Sequence, residues 1–78
     1  PPRAQEKGVE GWVVVKFTVT ENGSVSDATV IDAEPKRIFN RAALRAIKKW
    51  KYKPKIVNGK PVRQPNQKTK LDFTLEKD

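Results

Sequence analysis

The sequence predicts an α+β domain, a two-layer α/β sandwich in which one main helix covers a three-stranded antiparallel sheet in the order β-β-α-β. Three observations predict it. Two stretches alternate with the period of a strand, one through Val13, Val15, Phe17 and Val19 and the other through Thr69, Leu71, Phe73 and Leu75. Between them Phe39, Ala43, Ala46, Ile47 and Trp50 recur at helical spacing. An Asn22-Gly23 pair follows the first alternating stretch and marks a tight hairpin. One apolar helix face and one apolar sheet face then have each other to bury against.

Pro1 to Glu10 form a lead-in with room for a short N-terminal helix, and Gly8 and Gly11 bracket the change to strict alternation. The first strand runs from about Trp12 to Thr20, in the β-branched and aromatic residues that strands favour. Lys16, Thr18 and Thr20 fall on its solvent face, but Trp12 and Val14 share that face, so its beginning is expected to be covered. After the Glu21–Ser24 turn the return strand covers Val25 to Ala33. Val25 stands three residues from Ala28 and Ala28 two from Val30, which predicts a bulge near Ser26-Asp27.

Pro35 closes the strand region, and the helix is expected from Ile38 to Lys51 with Arg41, Arg45, Lys48 and Lys49 outward. Cations in its last turns oppose the negative end of the helix dipole. No Ser, Thr or Asp stands at the N-cap, and Pro54 forbids extension. Trp50 is expected to close the core face and Tyr52 to pack the next turn. Lys55 to Gln67 contains Asn58-Gly59, Pro61 and Pro65, and is expected as a long loop folding back once upon itself.

At 78 residues the chain holds one domain, 1–78, which buries only roughly 60% of the surface its unfolded form exposes. It has no Cys, hence no disulfide or thiolate, and no His, the commonest general base near neutral pH. Asp27 and Asp32, five apart on one strand, point to opposite faces unless a bulge intervenes. Adding Glu34 gives no shaped loop of the six or more oxygens, roughly, that a hard cation takes. Ser24 and Ser26 lack an activating base, and no Gly-rich phosphate cradle exists. The expectation is a non-enzyme with no catalytic residue, metal site or cofactor. With a Pro-Pro-Arg start and no long apolar run, the sequence reads as a fragment of a longer protein.

The net charge is +8, and no Asp or Glu occurs from Lys36 to Lys70. Such one-sidedness speeds encounter with acidic partners, whether peptide, nucleic acid or membrane surface. Three strands also leave two edges, and a bare edge offers unpaired N–H and C=O groups to any extended chain. The hairpin makes the first two strands neighbours. The last strand arrives from a long connection and is expected outside them, with its outer side exposed.

Several strings together resemble one family. Pro1-Pro2-Arg3-Ala4-Gln5, Val9-Glu10-Gly11, the Val13 to Val19 alternation, Asn22-Gly23-x-Val25, and Phe39 through Trp50-x-Tyr52-x-Pro54 are similar, in order and spacing, to the TonB C-terminal domain family. The resemblance implies a periplasmic domain tied through a Pro-rich spacer to an inner-membrane helix that partners ExbB and ExbD. It implies binding of the TonB box, a short segment of outer-membrane transporters for iron-siderophores, haem or cobalamin, as a strand beside the last core strand. Here that strand is Gln67, Lys68, Thr69, Lys70, Leu71, Asp72, Phe73, Thr74 and Leu75, with Arg3 of the lead-in as a further contact. The stretch from Lys55 to Gln67 is longer and more basic than in the best-known members, which bears on access to that edge.

Three other readings fit parts of the sequence. A basic nucleic-acid module would use Trp50 and Tyr52 as a stacking platform, although such platforms take several aromatics along a groove. A TolA-like periplasmic tether shares the general architecture, but the Trp50-Lys51-Tyr52-Lys53-Pro54 string favours the TonB side. Self-association through an exposed edge, with Trp12 and Val14 in contact, makes a homodimer an option. No nucleic-acid partner is expected.

Overall fold

Val9–Val19 forms β1, the central strand, and its inward residues make the core: Val13 and Val15 are fully buried, Phe17 and Val19 nearly so. A computed structural model describes residues 8–75 of the chain. The short N-terminal helix and the Arg3 contact expected in the lead-in lie outside the described residues.

The chain reverses through Thr20–Ser24. The Gly23 N–H donates to the Thr20 carbonyl at 2.9 Å and the Thr20 N–H to the Ser24 carbonyl at 2.8 Å, with Gly23 left-handed at φ 85°. This is a type I turn closed by a glycine bulge. Only Gly23 of the Asn-Gly pair takes positive φ; Asn22 contributes its side chain, whose Oδ1 accepts from the Ser24 hydroxyl at 2.8 Å.

β2 (Val25–Glu34) pairs antiparallel with β1. The register takes up one extra β2 residue between Lys16↔Thr29 and Thr18↔Ser26, and Asp27 sits there at φ 55°. This is the bulge expected from the broken alternation. A second slip, between Val14↔Asp32 and Val15↔Val30, sets aside Ile31, which nothing in the periodicity foretold.

α1 (Asn40–Ile47) is shorter than the expected Ile38–Lys51. Phe39 occupies the N-cap without a side-chain hydrogen bond, and Arg37 at φ 72° halts helical geometry upstream. At the other end the N–H groups of Lys49 and Trp50 bond carbonyls only three residues back, Ala46 and Ile47, so the last turn tightens and stops. Phe39, Ala43 and Ile47 are buried over β2 and β1. Trp50 does not close this face. It lies past the last turn, 37% exposed and tilted against Tyr52 at 6.2 Å. Tyr52 instead stacks on Phe17 at 5.6 Å, and its N–H donates to the Gly23 carbonyl at 2.8 Å, stitching the helix exit to the hairpin turn.

The stretch expected as a long loop does fold back once upon itself, and it does so as a second hairpin. β3 (Lys55–Val57) and β4 (Lys60–Val62) pair with each other in a separate two-stranded sheet, and Asn58 and Gly59, at φ 51° and 78°, make the mirror-image turn that suits a two-residue loop. β5 (Gln64–Leu75) then begins earlier than the alternation suggested, and the main sheet has the order β2-β1-β5.

Gly11 sits in a tightly packed corner. A Cβ on it would collide with the Glu34 carbonyl oxygen and come within 2.8 Å of both the Phe39 ring and Pro35 Cδ. Gly11→Ala is therefore expected to cost about 1–3 kcal/mol, as overpacking does. Urea denaturation of the two proteins would measure it, and an unchanged midpoint would show that the corner yields freely.

Candidate functional site

Because β1 is central, the sheet has two edges, β2 and β5, and they differ. β2 carries two bulges, at Asp27 and Ile31, which break the even spacing that an added strand must match. β5 pairs with β1 without a shift from Val9↔Leu75 to Phe17↔Gln67, and its break falls beyond, between Phe17↔Gln67 and Val19↔Gln64, where Asn66 stands at φ 60°. All nine strand residues named from the sequence, Gln67 to Leu75, thus lie on one regular run. In such a strand alternate residues turn their N–H and C=O away from the neighbour already bonded.

The side chains divide cleanly. Thr69, Leu71, Phe73 and Leu75 point with Val15, Val13, Gly11 and Val9 toward the helix layer. α1 packs over β1 and β2, so Leu71 and Phe73 remain half-buried and Leu75 is 55% exposed. Phe73 stacks on Phe39 at 5.2 Å with the rings nearly parallel, which anchors the strand's far end. An apolar strip therefore continues past the edge of the covered core. Lys68, Lys70, Asp72 and Thr74 line the opposite, exposed face.

Charge on that face is uneven. The Lys70 ammonium lies 5.1 Å from the Trp12 ring centroid, a cation–π contact that covers part of the apolar start of β1's outer face. This meets the expectation that something shields Trp12. Lys68 stands directly opposite Lys16, and like charges so placed are unfavourable in a sheet. Lys68→Glu should therefore raise stability by about 0.2–1 kcal/mol. The same change should slow association with an acidic extended peptide, so stopped-flow rates and thermal melts should move in opposite senses.

The second hairpin hydrogen-bonds to neither edge. Just after it, Arg63 reaches Asp27 Oδ2 at 3.0 Å, tying the entry of β5 to the β2 bulge. Lys36 pairs with Asp32 at 3.1 Å; this contact and the Ala33 N–H hold the Asp32 carboxyl below the usual carboxylate range. Among the described residues no cluster of three or more potential metal ligands occurs. Asp27 and Asp32 are committed to separate cations. With Tyr52 stacked on Phe17, Trp50 alone is left of the aromatic pair a nucleic-acid platform would use.

The family model for the Gram-negative bacterial TonB protein C-terminal matches residues 1–75. Protein TonB of Pseudomonas aeruginosa is 40% identical over 73 residues, covering 94% of this chain and 21% of that protein. Protein TonB of Helicobacter pylori is 36% identical over 78 residues, covering 100% of this chain and 26% of that protein. The chain thus spans a minor part of these curated relatives. Among solved structures, the TonB2 protein of Vibrio anguillarum superposes with a TM-score of 0.65 at 48% identity, covering 99% of this chain and 73% of that one. The P. aeruginosa TonB C-terminal domain superposes with a TM-score of 0.65 at 34% identity, covering 97% and 78%.

Proposed function

The chain belongs to the TonB C-terminal family, and on that premise we propose that it grips the TonB box of outer-membrane transporters as an added strand along Gln67–Leu75. The observation that carries this reading is the contrast between the regular β5 edge and the doubly bulged β2 edge. Strand addition draws affinity from main-chain bonds and only modest selectivity from alternate side chains. Each bond contributes about 0.5–1.5 kcal/mol net, so a handful holds a peptide reversibly. The half-covered strip of Leu71, Phe73 and Leu75 gives the inward side chains of the guest an apolar surface to continue.

In this reading the chain is a non-enzymatic periplasmic domain. Parts of the protein beyond it anchor it in the inner membrane and meet ExbB and ExbD, whose proton flux supplies the energy. Interstrand bonds run across an antiparallel pair, so a pull along the strands loads them together in shear. That geometry suits passing tension to a transporter that imports iron-siderophores, haem or cobalamin. Arg3 is assigned a supporting contact with the transporter.

An NMR titration of the chain with a transporter-derived TonB-box peptide tests the proposal. Backbone amide shifts concentrated on Gln67 to Leu75 are expected. Shifts confined to Val25–Glu34, or none at physiological salt, would overturn it.

A further inference from the structure

Apart from Tyr52, which stacks on Phe17, neither the core nor the β5 edge makes use of the stretch from Lys48 to Val62. Its only charged residues are six lysines, Lys48, Lys49, Lys51, Lys53, Lys55 and Lys60. Three of the six exposed large hydrophobics of the described residues lie in it: Trp50 at 37%, Val57 at 43% and Ile56 at 58% exposure. We propose that the β3–β4 hairpin is a second docking surface, and that its occupant is an anionic phospholipid bilayer.

The pairing of the hairpin carries the inference. Lys55 faces Val62 and Val57 faces Lys60, so one face of the small sheet sets the exposed Val57 and the half-buried Val62 on a diagonal between two ammonium groups, while Ile56 and Pro61 share the other face. A lysine stem lies along apolar surface and carries its charge outward to water or phosphate. Laid on a bilayer, this face puts its valines at the acyl boundary and its ammoniums among the headgroup phosphates. An isolated two-stranded hairpin is marginal in water, and this one pairs only with itself. A surface that receives its apolar side chains would steady it.

The choice of cation separates a bilayer from a protein. Fixed recognition of one carboxylate or phosphate favours the bidentate fork of arginine, whereas lysine is a compact point charge without that geometry. The chain's arginines are Arg3, Arg37, the α1 residues Arg41 and Arg45, and Arg63, which pairs with Asp27, but only lysines carry charge between Lys48 and Val62. Among the described residues none of these lysines is in an ion pair. Such a set suits a diffuse anionic plane better than a shaped acidic pocket. A second copy of the chain is disfavoured, since pairing this face with itself would gather four like-charged lysines in one interface with no acidic partner.

The test is vesicle cosedimentation of the whole chain, with vesicles of equal parts phosphatidylglycerol and phosphatidylcholine against phosphatidylcholine alone. Binding is expected only to the anionic vesicles, weakening as salt rises. The doubly reversed Lys55→Glu/Lys60→Glu protein should bind at least about tenfold more weakly, given the contribution of each lysine near an anionic surface. Val57→Ser should also bind more weakly at unchanged charge. All these side chains are solvent-exposed, so circular dichroism of the variants should match the parent. Equal binding to neutral vesicles, or full binding by the doubly reversed protein, would overturn the proposal. So would undiminished binding by Val57→Ser, which leaves polyanion attraction alone, or loss on Arg41→Glu/Arg45→Glu with the hairpin variants unaffected, which moves the surface to α1. Peptide binding at β5, measured in parallel, should not change in the hairpin variants, so this proposal and the edge reading fail separately.

Discussion

Ile47→Ala is expected to cost about 2–5 kcal/mol, the range for emptying a buried aliphatic site. Ile47 is the largest of the fully buried side chains and the last helical residue that touches the sheet. The core has little depth in which to relax around the loss: it comprises four β1 residues, Ala33, and the three helix-side residues Phe39, Ala43 and Ile47. For a domain of this size the penalty corresponds to a fall in melting temperature on the order of 10–30 °C. Differential scanning calorimetry would measure it. A drop of only a few degrees would mean that Leu44 or Tyr52, already packed against the core, moves in to fill the space.

Lys70→Pro and Leu71→Pro, taken as a pair, should separate folding from binding. Adjacent strand residues turn their N–H groups to opposite sides, so one of the two donates to β1 and the other faces outward. Proline is tolerated on the solvent side of an edge strand and disruptive within a ladder. One variant should therefore lose about 1–3 kcal/mol of stability, the cost of leaving the β1 carbonyl without its donor. The other should melt close to the parent yet bind a TonB-box peptide at least about tenfold more weakly, because the guest loses a donor and meets the pyrrolidine ring. Isothermal titration calorimetry with melting curves distinguishes them. If both variants fold and bind like the parent, Gln67–Leu75 is not where the peptide lies.

Much of this was legible in the residues, for identifiable reasons. β1 was plain because its inner face is wholly buried, so Val13, Val15, Phe17 and Val19 were free of compromise. The bulge at Asp27 was legible because it displaced Ala28 from the pattern, whereas the bulge at Ile31 was hidden, since Val30 and Ile31 are both apolar and either could face inward. The helix was overextended because the amphipathic spacing runs on to Trp50. What stopped it was backbone geometry at Arg37 and in the last turn, which periodicity does not register. The β3–β4 hairpin showed only its turn, Asn58-Gly59, because three-residue strands with little burial carry no alternation to read. The candidate edge followed from connectivity: a hairpin fixes two neighbours, and a third strand arriving later takes the outside. That β5 rather than β2 presents the even edge depended on bulge positions, of which only one had left a trace.

The offset of α1 toward β2 gives the sheet a graded resistance to opening. β1 is bonded on both sides and roofed by the helix, whereas β5 has one bonded neighbour and an apolar face only half sheltered. Amide protons should thus exchange slowest in β1 and sooner in β5, since local openings follow buttressing. A guest strand would supply the brace that β5 lacks, so the element least secured in isolation is the one that gains most protection once occupied.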